Sequence, residues 1–324
     1  MTVSQAATAE SGISFKPLAP TFGTECIGVD FSKPVPESTI DIIRAGMAKY
    51  GVLVFRSTQL DDAGHVAFAS HFGELDDQTP WMAPGQTYRL GKWTQLADVG
   101  NIEIDGKVVQ EDSIRHQLNQ GNKLFHVDCS YNPRRTGGGT AFVDARTAYD
   151  DLDAETKEKI ANLVLWHSLW HSRRLGAPES ELMRRINPEE HGMARHRLVQ
   201  HHEPSGRTTL YIAWHAFRVD GWTREESQPL KEALLRHASQ YKYTFQVDWE
   251  NDGDLVMWDN TCVMHRATGG TYQGKYPRDM RRATVLDSSP TAWGLNDQRA
   301  ERSGMFASTT KNAWCKSLED GSSA

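Results

Sequence analysis

Short apolar runs and helix-spaced apolar residues follow one another over the first quarter of the chain. Residues 15–29 predict two short extended segments around a Pro-Thr-Phe-Gly turn. Apolar residues three and four positions apart predict a helix over 38–49 with Ser38 as its N-cap, and the apolar run at 52–55 predicts a buried strand. A second amphipathic helix is predicted over 61–73. Strands and helices are therefore both expected in this part of the chain.

Further along, the pattern favours strands. Residues 74–123 are polar and irregular, and a loop of that length inside a compact domain is more often functional than idle. A capping-box pattern at 223–226 opens a predicted helix that runs to Ala238. The other predicted elements are a helix over 151–165 and strands over 210–213, 245–249, 255–258 and 281–286.

Neither an internal repeat nor a linker between domains is visible in the sequence. We therefore expect a single domain over 12–295, a disordered tail over 1–11 and a loose C-terminal tail over 296–324. The expected fold class is mainly β with flanking helices, because the second half reads as a β-sandwich or barrel decorated with helices.

Composition narrows the class of protein. The chain has 324 residues, of which 38% are hydrophobic and 24% charged, which are ordinary globular proportions. No apolar run approaches the roughly 18–20 residues that span a bilayer, and residues 1–11 lack the features of a signal peptide. A net charge of −6 without a long basic block argues against nucleic-acid binding. Four scattered cysteines without a CxxC pair argue against a thiolate zinc site and suit a reducing cytoplasm.

A histidine and an aspartate stand two positions apart at His126 and Asp128. On an extended chain, residues two apart project to the same face, so an imidazole and a carboxylate there can reach one ion. A distant histidine would complete a facial triad of two histidines and one carboxylate, which leaves coordination positions open. His265 follows a predicted strand and turn and is the candidate. The HxD pair alone is weak support, because most such pairs are surface or strand-edge residues.

Other motifs, in order along the chain, make it resemble the TauD/TfdA family of Fe(II)- and 2-oxoglutarate-dependent dioxygenases. Within that family, it is most similar to the 2,4-dichlorophenoxyacetate dioxygenase branch. The markers are GVLVFR at 51–56, QLAD at 95–98, DGK at 105–107, FHVDCS at 125–130, GGGT at 137–140 with Phe142, GDLVMWDN at 253–260, His265-Arg266 and RRAT at 281–284. The resemblance implies a double-stranded β-helix, or jelly roll, in agreement with the strand-rich second half.

The resemblance also implies a role for individual residues. His126, Asp128 and His265 would bind iron, and 2-oxoglutarate would chelate the metal. Its far carboxylate would be held by Arg278 and Thr140, although spacing alone leaves Arg278 equally readable as a surface arginine. Substrate contacts are implied for Arg282, Asn122, His202 and His215, of which the two histidines fit equally well as packed core or rim residues. Dioxygen would be the second cosubstrate, and ascorbate is expected to stimulate turnover.

One segment departs from the family pattern. In relatives, a strand and a turn separate the HxD segment from the Gly-Gly-Thr segment, whereas here Thr140 follows Asp128 by only 12 positions. We therefore expect one core strand of ~5–6 residues to be missing between Arg135 and Thr136. Such a gap would leave unpaired backbone groups beside the metal.

These observations leave three functions to weigh. The leading one is an oxygenase that hydroxylates a small acidic substrate such as an aryloxyalkanoate and releases succinate and carbon dioxide; a sulfonate or an oxo-purine would also fit an arginine-lined pocket. An inactive remnant of the fold is the second, and a cupin-like zinc hydrolase, for which no general base is evident, is the third. A cytoplasmic enzyme without nucleic-acid or membrane partners is expected, and a homo-oligomer stays open.

Overall fold

The computed structural model describes residues 12–82, 87–128, 135–136, 141–268 and 275–297. Over these ranges the α-helices are α1 (Glu37–Tyr50), α2 (Asp62–Ser70), α3 (Ile114–Asn119), α4 (Ala145–Asp150), α5 (Ala154–Ile160), α6 (Leu169–Gly176), α7 (Glu181–Arg185) and α8 (Arg224–Ala238). Short 3₁₀ helices lie at Thr79–Trp81, Gln120–Lys123, Pro188–Glu190 and Tyr241–Tyr243.

The strands alternate with these helices over most of the described chain. They are β1 (Ser14–Pro17), β2 (Thr24–Ile27), β3 (Val52–Phe55), β4 (Leu96–Asp98), β5 (Arg135–Thr136), β6 (Ala141–Asp144), β7 (Val164–His167), β8 (Ala194–Arg197), β9 (Val199–His202), β10 (Arg207–Leu210), β11 (Ala216–Val219), β12 (Thr244–Gln246), β13 (Leu255–Trp258), β14 (Val263–Arg266), β15 (Arg281–Ala283) and β16 (Val285–Leu286). No helix of the described residues combines the length and apolarity that crossing a membrane would require.

A four-stranded sheet carries the N-terminal part, in the order β1-β2-β3-β13. The two extended segments predicted over 15–29 are confirmed as β1 and β2, which pair antiparallel, and the buried strand at 52–55 is confirmed as β3. Helix α1 buries Ile40 and Ile43 completely. It ends at Tyr50, after which the Gly51 N–H donates to the Met47 carbonyl at 2.8 Å and the φ of 70° at Gly51 turns the chain out of the helix. The predicted cap at Ser38 is wrong: the helix begins one residue earlier, after Pro36, without a side-chain cap.

Two three-stranded sheets build the centre, in the orders β12-β6-β14 and β11-β7-β8. In the first, β6 pairs with β14 so that Phe142 lies opposite His265. All four residues of β6 are buried; the first three are apolar, and the fourth, Asp144, pairs with Arg146. The strand that presents His265 is therefore fixed in register by the packed core.

Several predicted boundaries change. The helix expected over 151–165 is interrupted, because Asp153 caps α5 and the chain turns into β7 at Val164. The strand expected over 210–213 lies earlier in the chain, as β10 over 207–210. Residues 211–213 are buried and apolar but follow the strand. The helix opened by the capping box is confirmed, since the Thr223 hydroxyl accepts from the Glu226 N–H at 3.1 Å and the Glu226 carboxylate accepts from the Thr223 N–H at 2.8 Å.

The expected jelly roll agrees with this sheet-rich architecture and its flanking helices. The expected loss of a core strand falls on residues 129–140, of which only Arg135 and Thr136 are described; they pair with Leu286 and Val285. The number of core strands stays a prediction, as do the tails at 1–11 and 296–324, most of which lie outside the described residues.

Candidate metal centre

Two backbone hydrogen bonds bring the distant histidines together. The His126 N–H donates to the His265 carbonyl at 2.9 Å, and the His265 N–H donates to the His126 carbonyl at 2.8 Å. This antiparallel bridge places the two rings side by side, with centroids 4.3 Å apart. Asp128 follows two residues later on the same side, as the extended spacing predicts.

The three side chains point their ligand atoms at one another. Asp128 Oδ1 lies 3.6 Å from His126 Nε2, and Asp128 Oδ2 lies 3.3 Å from His265 Nε2. All three ligand atoms lie within 4.8 Å of each other. Ligands at right angles around an ion, at the usual 2.0–2.2 Å, would be about 3 Å apart. The observed spacing thus accepts one ion with little movement.

Neighbouring groups orient each ligand. His126 Nδ1 lies 2.6 Å from the Leu124 carbonyl, which fixes the proton on Nδ1 and leaves the Nε2 lone pair for a metal. The Asn260 amide oxygen accepts from the Asp128 N–H at 3.3 Å and from the Trp258 indole N–H at 3.0 Å. Asn260 was part of the motif that carries the resemblance, but its role in holding the Asp128 backbone is visible only in the structure.

The local charges favour the forms that bind metal. Burial alone would raise the pKa of Asp128, but the Arg282 guanidinium and the ring of His265 outweigh it and hold that pKa well below its usual range. Burial lowers the pKa of His265 to about 4, although the Asp128 carboxylate opposes the shift. At neutral pH the centre therefore offers an ionised carboxylate and a neutral imidazole, the protonation states that ligate metals.

Arg282 lies at the centre itself. Its Nη1 donates to Asp128 Oδ2 at 2.7 Å, and its side chain is 19% exposed. Arg278 lies just before β15, where its backbone N–H donates to the Asn101 amide oxygen at 2.5 Å.

Both arginines line one cavity of about 460 Å³. Its apolar wall includes Trp258, Trp249 and Phe68. The three ligands do not line this cavity; it reaches the centre through Arg282 and through Trp258, whose ring lies 4.7 Å from that of His265.

The other predicted site residues lie in different places. His215 is 2% exposed, and its ring lies 6.5 Å from that of His126 and 5.7 Å from that of His167. Asn122 lies next to the end of β14, where its backbone carbonyl accepts a hydrogen bond from the Ala267 N–H at 2.6 Å. Thr140 lies outside the described residues. The substrate and cosubstrate roles of these residues stay predictions.

His202 is not brought to the triad. Its Nδ1 lies 2.6 Å from the Ser205 hydroxyl and its Nε2 lies 2.9 Å from Asp259 Oδ2. A second group of side chains that could ligate a metal consists of His202, Asp259 and Cys262. Its ligand atoms also lie within 4.8 Å of one another. The predicted substrate role of His202 stays a prediction, but both of its ring nitrogens are already hydrogen-bonded.

Comparisons with known proteins identify the family. The profile described as "Taurine catabolism dioxygenase TauD, TfdA family" matches residues 14–284. An alpha-ketoglutarate-dependent 2,4-dichlorophenoxyacetate dioxygenase of Cupriavidus pinatubonensis is 34% identical over 84% of this chain and 97% of its own. An (S)-phenoxypropionate/alpha-ketoglutarate-dioxygenase of Sphingobium herbicidovorans is 30% identical over 78% of this chain and 88% of its own.

A solved structure shares the fold. The crystal structure of AAD-2 in complex with Mn(II) and N-oxalylglycine superposes with a TM-score of 0.77 at 36% identity, over 86% of this chain and 99% of that one. The resemblance predicted from the motifs is thereby confirmed. The chain belongs to the TauD, TfdA family and is a dioxygenase that depends on a metal ion and on 2-oxoglutarate, which is alpha-ketoglutarate.

Proposed function

We propose that this protein is an iron(II) oxygenase that hydroxylates a small acidic molecule of the aryloxyalkanoate type. The reaction would convert 2-oxoglutarate and dioxygen to succinate and carbon dioxide. The observation that carries the proposal is the donor set of His126, Asp128 and His265, which brings two imidazole nitrogens and one carboxylate close enough to share one ion. That set is typical of non-haem iron(II) oxygenases and leaves positions open for other ligands.

The three ligands would hold the iron, which when bound supplies the activation of dioxygen. Arg278 and Thr140 would hold the far carboxylate of 2-oxoglutarate, since a guanidinium can grip a carboxylate with two parallel hydrogen bonds. Arg282 would hold the acid group of the substrate. Because its Nη1 already lies 2.7 Å from Asp128, an acid bound to Arg282 would lie next to the metal.

The walls of the cavity support an aromatic acid as substrate. Trp249, Trp258 and Phe68 supply flat apolar surfaces, while Arg278 and Arg282 supply positive charge. Aromatic rings and an arginine together suit a molecule with an aryl group and a carboxylate. The relatives named for 2,4-dichlorophenoxyacetate and (S)-phenoxypropionate support the same class.

Succinate formation tests the proposal. Purified protein with iron(II), ascorbate and 2-oxoglutarate would be given 2,4-dichlorophenoxyacetate, (S)-2-phenoxypropionate, an alkyl sulfate ester, taurine or xanthine, and succinate would be measured against a sample without substrate. We expect the aryloxyalkanoates to raise the rate most. A larger rise with the sulfate ester, taurine or xanthine would replace the substrate class, and no succinate with any addition would favour the inactive remnant.

A further inference from the structure

A second pocket shares no lining residue with the first and lies among α6, α7 and the first residue of α8. Its volume is about 300 Å³. We call it the arginine pocket, and it is lined by His171, Arg174, Leu175, Ala177, Pro178, Arg184 and Arg224. Three of these residues are cationic, and none is acidic.

None of the three guanidiniums has a carboxylate partner among the described residues. Arg174 and Arg184 each donate one long hydrogen bond to a backbone carbonyl, of Ile186 and Glu179 respectively, both at 3.3 Å. Arg224 lies over the Phe217 ring, 5.4 Å from its centre. Most N–H donors of these three arginines are therefore available to a ligand. By contrast Arg185, which directly follows Arg184 in the chain, pairs with Glu181.

A buried histidine adds an available donor. His171 is 4% exposed and lines the pocket, and no described residue forms a hydrogen bond with its ring. A ligand in the pocket would supply a partner.

The surrounding charges make the pocket strongly positive. Burial is the larger cause, and the charges of Arg224, Lys231 and Arg174 act in the same direction; together they lower the pKa of His171 to about 3. Burial and the Arg224 charge also lower the pKa of Lys231 to about 8, although Lys231 donates to the Phe217 carbonyl at 3.0 Å. Cations that disfavour each other's charge in this way favour an anion between them.

We propose that the arginine pocket binds a small molecule through a doubly charged tetrahedral oxyanion, a phosphate or sulfate group. The planar guanidinium of arginine can donate two parallel hydrogen bonds to two oxygens of a phosphate or sulfate group, which the ammonium group of lysine does less well. The apolar side chains of Leu175, Ala177 and Pro178 leave one side of the pocket for a short carbon chain on the anion. The volume excludes a large ligand and accepts a small phosphate ester or sulfate ester.

The pocket adjoins the segment that carries the metal centre. Gly176 at the end of α6 packs so closely on Gly121 that a Cβ on Gly176 would lie 2.2 Å from the Gly121 nitrogen. Gly121 begins the stretch that leads through Leu124 to His126. An anion in the arginine pocket would therefore bind on the helix that supports this stretch.

Calorimetric titration tests the proposal. Inorganic phosphate would be titrated into the full chain loaded with metal and 2-oxoglutarate, at ionic strength held constant with sodium chloride. The variants are Arg174→Ala, Arg184→Ala and Arg184→Lys, and the matched control is Arg185→Ala. Circular dichroism and melting temperature would verify that every variant is folded.

We expect each pocket variant to weaken phosphate binding about tenfold, because a charge-assisted hydrogen bond is lost, and Arg185→Ala to leave it unchanged. Arg184→Lys should recover part of the affinity. Absence of phosphate binding to the wild-type chain, equal binding by the pocket variants, or equal weakening by Arg185→Ala would each overturn the proposal. Butyl phosphate and sulfate, titrated alongside, separate an organic ester, which should bind more tightly than inorganic phosphate, from a free ion.

Discussion

The protein contains two groups of side chains that could ligate a metal, and they differ in whether their histidine nitrogens are already hydrogen-bonded. In the triad of His126, Asp128 and His265, the Nε2 atoms face a carboxylate at 3.6 and 3.3 Å, beyond ordinary hydrogen-bond length for one of them. In the second group, His202 is bonded through both ring nitrogens, to Ser205 and Asp259.

The second group is also complete without an ion. The Asp259 carboxylate accepts from the Thr261 N–H at 2.8 Å and from its hydroxyl at 2.6 Å, while its other oxygen lies against His202. Burial raises the pKa of the Cys262 thiol well above its usual value, so the group lacks a ready thiolate. Close spacing of ligand atoms is therefore insufficient to mark a metal site, because the donors must also be available and correctly protonated.

Removing one histidine from the triad gives the largest expected effect. His126→Ala or His265→Ala should abolish iron binding, because a facial site has only three protein ligands. His202→Ala, the matched variant in the second group, should leave iron binding intact. The measurement is the visible charge-transfer band on anaerobic titration of iron(II) with 2-oxoglutarate. An unchanged band in either triad variant would remove that residue from the metal site, and its loss in His202→Ala would erase the distinction.

A charged cluster beside the second group, in which Arg146 and Arg207 both pair with the Asp144 carboxylate, should instead matter for stability. Arg146 is fully buried, its Nε donates to Asp144 Oδ1 at 2.8 Å and its Nη1 to the Ala48 carbonyl at 3.0 Å. Arg146→Met would leave a buried carboxylate without its main cation, which costs about 3–5 kcal/mol of the free energy of unfolding.

Urea denaturation measures this loss, and Arg207→Met provides the control at the rim of the same cluster, where the Arg207 side chain is 33% exposed. We expect the control to lose well under half as much. A folded Arg146→Met with wild-type stability would mean that this cluster does not hold the core together.

The two cavity arginines should separate by the ligand that each holds. Arg278→Ala should raise the KM for 2-oxoglutarate roughly 10- to 100-fold, as expected for loss of a charge-assisted pair. Arg282→Ala should raise the KM for the acidic substrate and leave substrate-independent turnover of 2-oxoglutarate measurable. Steady-state succinate assays with each ligand varied in turn decide this, and the opposite pattern would reverse the two roles.

The motifs singled out three side chains that the structure places side by side, because the signals behind them are local or shared with the family. The HxD spacing fixes the relative direction of His126 and Asp128, and the resemblance supplies His265. The contact of Arg282 with Asp128 could not be predicted, because it depends on how the strand β15 packs across the centre. His202 shows the same limit, since only the tertiary structure reveals that Asp259 and Ser205 occupy its ring.

Secondary structure was predictable where a local signal dominates. The capping box at Thr223 and the apolar run of β3 both gave the observed element. The helix predicted over 151–165 forms only from Ala154 to Ile160. Its last two residues, 164 and 165, belong instead to β7, where pairing with β8 and β11 outweighs the helical spacing. The arginine pocket could not be predicted from the sequence, because its three arginines lie on three different helices that only the tertiary structure brings together.

The smallest expected effect distinguishes the second group by its dependence on pH. Burial alone would raise the pKa of Asp259, but the hydrogen bonds from His202 and Thr261 outweigh it and lower that pKa to about 2. The unfolded chain therefore binds the proton first as the pH falls, so this carboxylate stabilises the fold above about pH 4 and loses that contribution between about pH 4 and pH 2. The amount is about 2 kcal/mol. The free energy of unfolding of the wild type and of Asp259→Asn would be measured by urea denaturation from pH 7 to pH 2.5, with exposed Asp252→Asn as the control for loss of a carboxyl group.

We expect the difference in free energy of unfolding between wild type and Asp259→Asn to be constant above pH 5 and to shrink below pH 4. A difference that stays constant down to pH 2.5 would show that the His202–Asp259 contact does not favour the ionised carboxylate, and the second group would then lose the feature that sets it apart from the triad.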